Sequence, residues 1–163
     1  MIHSDRYVGM GEVLVGRTSD VLKATLGSCV GIGFIWKKGG VCGLAHCLLS
    51  ESPRPILTLG ARYVNQAVPS LLVMMGMRDA DLNDVDVIVA GGARMFSMHQ
   101  GSLCVGRQNA EAAQKYLLQK GLQVLHQEIG GRRGRQMVID CGSQDFSITT
   151  IARQPEEYHY GWI

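Results

Sequence analysis

Cys29-Val30-Gly31-Ile32-Gly33-Phe34-Ile35-Trp36, then Lys37-Lys38-Gly39-Gly40, then Val41-Cys42-Gly43-Leu44-Ala45-His46-Cys47-Leu48-Leu49 is the stretch from which the rest of the chain is read. Two apolar runs flank a polar turn that ends in two glycines, the mark of a β-hairpin. With Trp36 opposite Val41, the register sets Gly31 opposite His46 and Cys29 opposite Leu48. Side chains alternate along a strand, so Cys29 and His46 share one face as diagonal neighbours, about 7–8 Å apart at the backbone. A slip of one residue would send them to opposite faces.

Downstream, Val85–Ala90 is another continuous apolar run, closed by Gly91-Gly92, and reads as a buried strand. Leu122–Glu128 is expected as a strand, and Gln136–Asp140 with Phe146–Ile151 as a closing hairpin around Cys141-Gly142-Ser143-Gln144. Two stretches have helical periodicity. Ala61, Val64, Ala67, Val68, Leu71, Leu72 and Met75 form one apolar stripe, with Pro69 expected to kink or divide it and Gly76 to stop it. The second helix is expected from Asn109 as N-cap, through Ala112, Ala113, Tyr116 and Leu117, to Gly121. Strands outnumber helices, and the helices fall between strand groups. The expected fold is α/β in the α+β sense, with mixed or antiparallel β-sheets packed together and helices on the outside. The 163 residues suit one domain, 1–152, followed by an aperiodic tail, 153–163, that is polar with aromatics.

Charge is nearly even, 16 basic against 14 acidic residues for a net +2 with histidines neutral, which argues against nucleic acid as a partner. No apolar run of about 18 residues offers a membrane helix. Residues 1–13 lack the basic and apolar regions of a secretory signal, so a cytoplasmic protein with no membrane insertion is expected. The five cysteines are an odd number without such a signal, which argues against a disulfide framework. Cys42, Cys47, Cys104 and Cys141 read as buried small hydrophobes. Cys42, His46 and Cys47 have no second ligand pair, so neither a metal nor another cofactor is expected.

The Cys29–His46 pair admits two readings. One is a small buried cysteine beside a satisfied core histidine. The other is a nucleophile and its base: the thiolate attacks, and an imidazole within reach takes the proton and later returns it to a leaving group. Gly27 before Ser28 and Cys29 allows backbone angles that turn amide N–H groups toward a developing oxyanion. The other chemistry-like motifs read as structural. Gly91-Gly92-Ala93-Arg94 follows a buried strand and suggests close backbone approach beneath the site. Gly130-Gly131-Arg132-Arg133-Gly134-Arg135 does not join a strand to a helix as a nucleotide loop does, and reads as a glycine-rich turn with solvated arginines.

Thr25-Leu26-Gly27-Ser28-Cys29-Val30 followed by Gly43-Leu44-Ala45-His46 resembles the signature of the CheD family, the chemoreceptor glutamine deamidases. The resemblance continues in the same order through Arg62-Tyr63-Val64-Asn65-Gln66-Ala67-Val68-Pro69, Gly91-Gly92-Ala93-Arg94-Met95-Phe96, Val105-Gly106-Arg107-Gln108-Asn109 and Ile129-Gly130-Gly131-Arg132-Arg133-Gly134-Arg135, with Glu128 where the family usually has Asp. It spans about Tyr7 to Ile151. It implies sheets packed on one another with helices outside, similar to a bacterial toxin deamidase. It also implies hydrolysis of glutamine side-chain amides in methyl-accepting chemotaxis receptors, and of receptor methyl esters by the same thioester route. On that resemblance Cys29 is the nucleophile and His46 the general base and acid. The family's third residue is a Thr six positions before the Cys, where this sequence has Lys23. Thr25, four before, is the candidate in its place, or another group orients His46, and a lysine at 23 would favour the thiolate. The competing reading is a non-catalytic docking module that binds receptors or a CheC-type phosphatase.

Overall fold

The computed structural model describes residues 4–95 and 104–151. The expected tail 153–163, and Phe96 of the Gly91–Phe96 motif, lie outside them. The described chain runs β1 (Ser4–Tyr7), β2 (Val13–Gly16), β3 (Asp20–Leu26), β4 (Val30–Trp36), β5 (Val41–Cys47), α1 (Val64–Met74), a 3₁₀ turn (Asp79–Asp84), β6 (Val85–Gly91), α2 (Val105–Gln119), β7 (Val124–Ile129), β8 (Arg135–Asp140) and β9 (Asp145–Thr150). Strands β1-β3-β8-β9 form one sheet, and β2-β5-β4-β6-β7 form the other.

The β4–β5 hairpin has the register read from its sequence: Trp36 pairs with Val41 and Gly31 with His46. Three layers result, giving the expected α/β architecture. Leu22, Leu26, Met137 and Ile139 of the four-stranded sheet pack against Ile35, Leu44 and Ile88 of the five-stranded one. The other face of the five-stranded sheet, with Ile32, Phe34, Val87 and Val89, receives Val64, Leu71, Ala113 and Leu117 from the two helices. Burial on both faces is why β4 and β6 read as continuous apolar runs rather than alternating ones. It also explains Gly33, where a Cβ would stand 2.5 Å from Ile139 Cδ1, so the sheets approach only over a bare backbone. The helices cover one side only. The outer face of the four-stranded sheet carries Lys23 and Thr25.

Three local expectations are revised. The N-terminal strands β1 to β3 add to the strands read from sequence: β1 and β2 have four residues each and β1 is mostly exposed, while the seven-residue β3 has Lys23 within its apolar run. Helix α1 runs unbroken through Pro69, whose ring faces solvent, so the Asn65 carbonyl it leaves undonated does not end the helix. Helix α2 begins at Val105 with Cys104 as N-cap, a full turn before Asn109, which is buried in the helix. Both helix ends match the glycine signals. Gly76 N bonds Val73 O and Met77 N bonds Leu72 O, while Gly121 and Leu122 do the same on Leu118 and Leu117.

Candidate active site

Between Leu26 and Val30 the chain passes from one sheet to the other, and Gly27, Ser28 and Cys29 make that passage. Each of their carbonyls is held. Gly27 O accepts from Ala93 N at 2.9 Å, Ser28 O from Asn109 Nδ2 at 3.0 Å, and Cys29 O from Gly92 N at 2.9 Å. Gly91, at φ +106°, lies so close that a Cβ there would overlap the Cys29 carbonyl oxygen. This is the close backbone approach read from the paired glycines.

Cys29 belongs to the inter-sheet core and is only 6% exposed. Burial pushes its thiol up, and its own backbone N–H pulls it partly back. The resting group is therefore a neutral thiol that needs a base to become a nucleophile.

His46 points into the same inter-sheet space, because β5 sends Cys42 and Leu44 there and alternation carries His46 with them. The segment before β2 pins it: Gly11 N donates to His46 O at 2.8 Å, and His46 N donates to Glu12 O at 3.0 Å. Its ring Nδ1 lies 2.8 Å from Val8 O. A carbonyl only accepts, so Nδ1 carries the proton and, in the neutral ring, the lone pair sits on Nε2. Nε2 is buried and has no hydrogen-bond partner among the described residues. A buried acceptor left open is costly and calls for a partner. Thiol and imidazole share a face but are not hydrogen-bonded to each other.

Thr25 and Lys23 lie elsewhere. β3 turns Leu22, Ala24 and Leu26 into the core, so its alternate residues face outward. Thr25 is exposed, and Lys23 Nζ donates to Asp5 Oδ2 at 3.0 Å rather than facing the thiol. The group that orients the His46 ring is the Val8 carbonyl. A backbone oxygen supplied by an irregular segment has no residue signature, so no sequence signal pointed to it.

Two further residues depart from their sequence expectation. Asn109, expected as a cap, instead reaches the Cys29 turn. Arg135, expected among solvated arginines, donates to Gly91 O at 3.2 Å and Gly130 O at 2.9 Å, while Arg132 and Arg133 are exposed as expected. Beside Ser28 a cleft of about 590 Å³ opens, with Arg94, Met95, Arg107 and Arg132 among its lining. Cys42, Cys47 and Cys141 are buried as expected, whereas Cys104 is partly exposed on this cleft. Among the described residues no group of three His, Cys, Asp or Glu side chains is placed to hold a metal. No described helix is long and apolar enough to cross a membrane.

A family model described as CheD, CheD chemotactic sensory transduction, matches residues 48–150. The chain belongs to the CheD family. It is 37% identical over 169 aligned residues to a Ruegeria sp. (strain TM1040) protein named probable chemoreceptor glutamine deamidase CheD 2, covering 92% of this chain and 94% of that one. A Bdellovibrio bacteriovorus protein named probable chemoreceptor glutamine deamidase CheD is 36% identical, covering 94% of this chain and 99% of its own. A Methanococcus vannielii protein of the same name is 34% identical over 86% of this chain and 92% of its own. The family-model match begins after Cys29 and His46, whereas the alignments to whole CheD proteins span most of the chain.

Proposed function

We propose that this protein hydrolyses glutamine side-chain amides of chemotaxis receptors to glutamate, with Cys29 as nucleophile and His46 as general base and acid. The observation that carries this reading is the His46 ring: Nδ1 is fixed on Val8 O, and a buried Nε2 with no hydrogen-bond partner among the described residues faces the inter-sheet space that Cys29 also borders. The names of the CheD relatives support the substrate class.

The chemistry follows from that tautomer. Nε2 takes the Cys29 proton as sulfur attacks the amide carbonyl, and the Val8 carbonyl stabilises the imidazolium through Nδ1–H. The Cys29 backbone N–H, already close enough to favour the thiolate, donates to the tetrahedral oxyanion. Collapse breaks the C–N bond, Nε2–H protonates the departing nitrogen, and ammonia leaves a thioester. Nε2 then takes a proton from water as its oxygen attacks, and returns it to sulfur when glutamate is released. Receptor methyl esters fit the same acyl route, with methanol as the leaving group. This reading carries a cytoplasmic location with it, and the family resemblance supports a CheC-type phosphatase as a second partner, checked by co-purification.

The test is incubation with a receptor cytoplasmic fragment, followed by mass spectrometry for the gain of one mass unit per converted glutamine. Conversion by the parent protein and none by Cys29→Ser supports the reading. Binding of the fragment without conversion would leave the docking-module reading in its place.

A further inference from the structure

We propose that Asn109 is a positioning residue for Cys29: by holding the Ser28 carbonyl it sets the plane of the Ser28–Cys29 peptide and aims the Cys29 N–H at the sulfur and the oxyanion formed beside it. The inference rests on the proposed deamidase reading and assigns a role within the same site.

Asn109 is an odd residue for its place. It sits inside α2, is 0% exposed, and belongs to a residue type that is neither a strong helix former nor comfortable without partners. Its amide nitrogen is 3.0 Å from Ser28 O and 3.0 Å from Leu48 O. Both neighbours are carbonyl oxygens, so the amide group facing them must be the NH₂, with one hydrogen for each. Oδ1 has no partner among the described residues. Among the described residues, the side chain is held by what it donates.

The two acceptors lie just beyond the paired ends of β4 and β5. Ser28 precedes the nucleophile, and Leu48 is two residues beyond His46. The last rung of the β4–β5 ladder pairs Val30 with Cys47, and just past it the chains separate. Asn109 spans that gap with a side-chain rung, tying the segment that bears the thiol to the strand that bears the imidazole. Gly106, one turn earlier, makes this reach possible. A Cβ there would overlap Ala93 O and stand 2.7 Å from Gly92 O, so only a bare backbone lets α2 come this close.

In a trans peptide the C=O and N–H point in opposite directions. Drawing the Ser28 oxygen back toward α2 therefore turns the Cys29 N–H away from the helix. With Gly27 O and Cys29 O also held, by Ala93 N and Gly92 N, the turn has no freedom to rotate that peptide while both amide bonds persist.

Asn109→Leu keeps the branched outline, though with a larger volume, and removes both donors, while Asn109→Ala removes them and leaves room for water. Two readouts decide. One is the pH profile of Cys29 alkylation by iodoacetamide, located by peptide mapping and measured without receptor. The other is the split between kcat and KM on a receptor fragment. Both variants should move the alkylation midpoint upward and lower kcat by about 10²-fold, with KM little changed, the size of effect seen when one oxyanion donor is lost. A variant that melts cooperatively, even at a lower temperature, with an unmoved midpoint and unchanged kcat per folded molecule overturns the proposal and leaves Asn109 a structural tie. If Asn109→Leu does not fold, the same readouts on Asn109→Ala decide. Failure of the deamidase reading looks different: the parent Cys29 would alkylate no faster than buried Cys47, and both readings would fall together.

Discussion

The inter-sheet core holds thiols at both of its ends, and the two ends behave as opposites. At one, Cys29 shares a face with His46. At the other, four residues back along β5 and roughly 14 Å away, Cys42 and Cys141 lie in the same core and shift each other in opposite directions, Cys42 down and Cys141 up. Cys141 is pushed up first by its neighbour Cys42, then by burial, with the carboxylates of Asp20 and Asp140 adding to the effect. Cys29 is also pushed up by burial, but a backbone N–H opposes the shift, and an imidazole lone pair stands on its side of the sheet. Burial raises the Cys29 and Cys141 thiols, whereas Cys42 is drawn down by its neighbour Cys141 against the effect of burial. What distinguishes the Cys29 end is the polar groups that the turn, Val8 and α2 bring to it.

The sharpest way to break this comparison is to remove sulfur at each end. Cys29→Ser should lower turnover of a receptor fragment by about 10³-fold or more while leaving the melting curve nearly unchanged. Cys42→Ala and Cys141→Ala should retain turnover within about two-fold and lose on the order of 1 kcal/mol of stability from the lost packing. Equal activity losses at both ends would show that the thiols are merely structural. His46→Ala comes next, with a loss of ~10²–10⁴-fold in kcat. It should also cost about 1–3 kcal/mol in denaturant unfolding, because the Val8 carbonyl loses its donor.

Gly91→Ala sharpens the comparison from the backbone side. At φ +106° and against the Cys29 carbonyl, an added methyl should destabilise the fold by roughly 1–3 kcal/mol and slow turnover by displacing the turn. A fourth prediction concerns pH. The Cys29 and Cys47 thiols are pushed up, in both cases chiefly by burial, so the folded chain keeps protons that the unfolded chain releases. The native state then binds more protons, and stability falls as pH rises from about 8.5, the thiols' unfolded value. Melting temperatures at neutral and alkaline pH should show the decline, and Cys47→Ala should flatten it. The smallest effects belong to the outer face of the four-stranded sheet. Thr25→Val and Lys23→Ala should leave stability within about 0.5 kcal/mol and turnover within about two-fold. A large loss at Thr25 would mean that something other than the Val8 carbonyl orients His46.

Much of this was legible locally. The Lys37–Gly40 turn and its apolar flanks determined the β4–β5 register as far as Val30 opposite Cys47, because pairing across a short turn involves only near neighbours, while Cys29 lies one residue beyond that ladder, in the turn between the sheets. The glycines that end both helices were equally readable, since a left-handed residue after the last turn is a local demand. The paired glycines at the end of β6 announced a close approach, though not what they approach.

The tertiary structure decided the rest. Val8 reaches His46 across 38 residues, Asn109 reaches Ser28 across 81, and Arg135 reaches Gly91 across 44. None of these bonds follows from periodicity. Asn109 satisfied the rule for a helix cap because the rule sees only its neighbours, and Arg135 looked solvated because its sequence context is polar. Thr25 looked close to Cys29 along the chain, yet the alternation of β3 turns it to the far face. Within the β4–β5 hairpin the sequence alone thus determined which residues share a strand face. Only the packing of two sheets and a helix determined which buried donors and acceptors meet, because those partners are chosen by distance in space and by the cost of leaving a polar group unpaired.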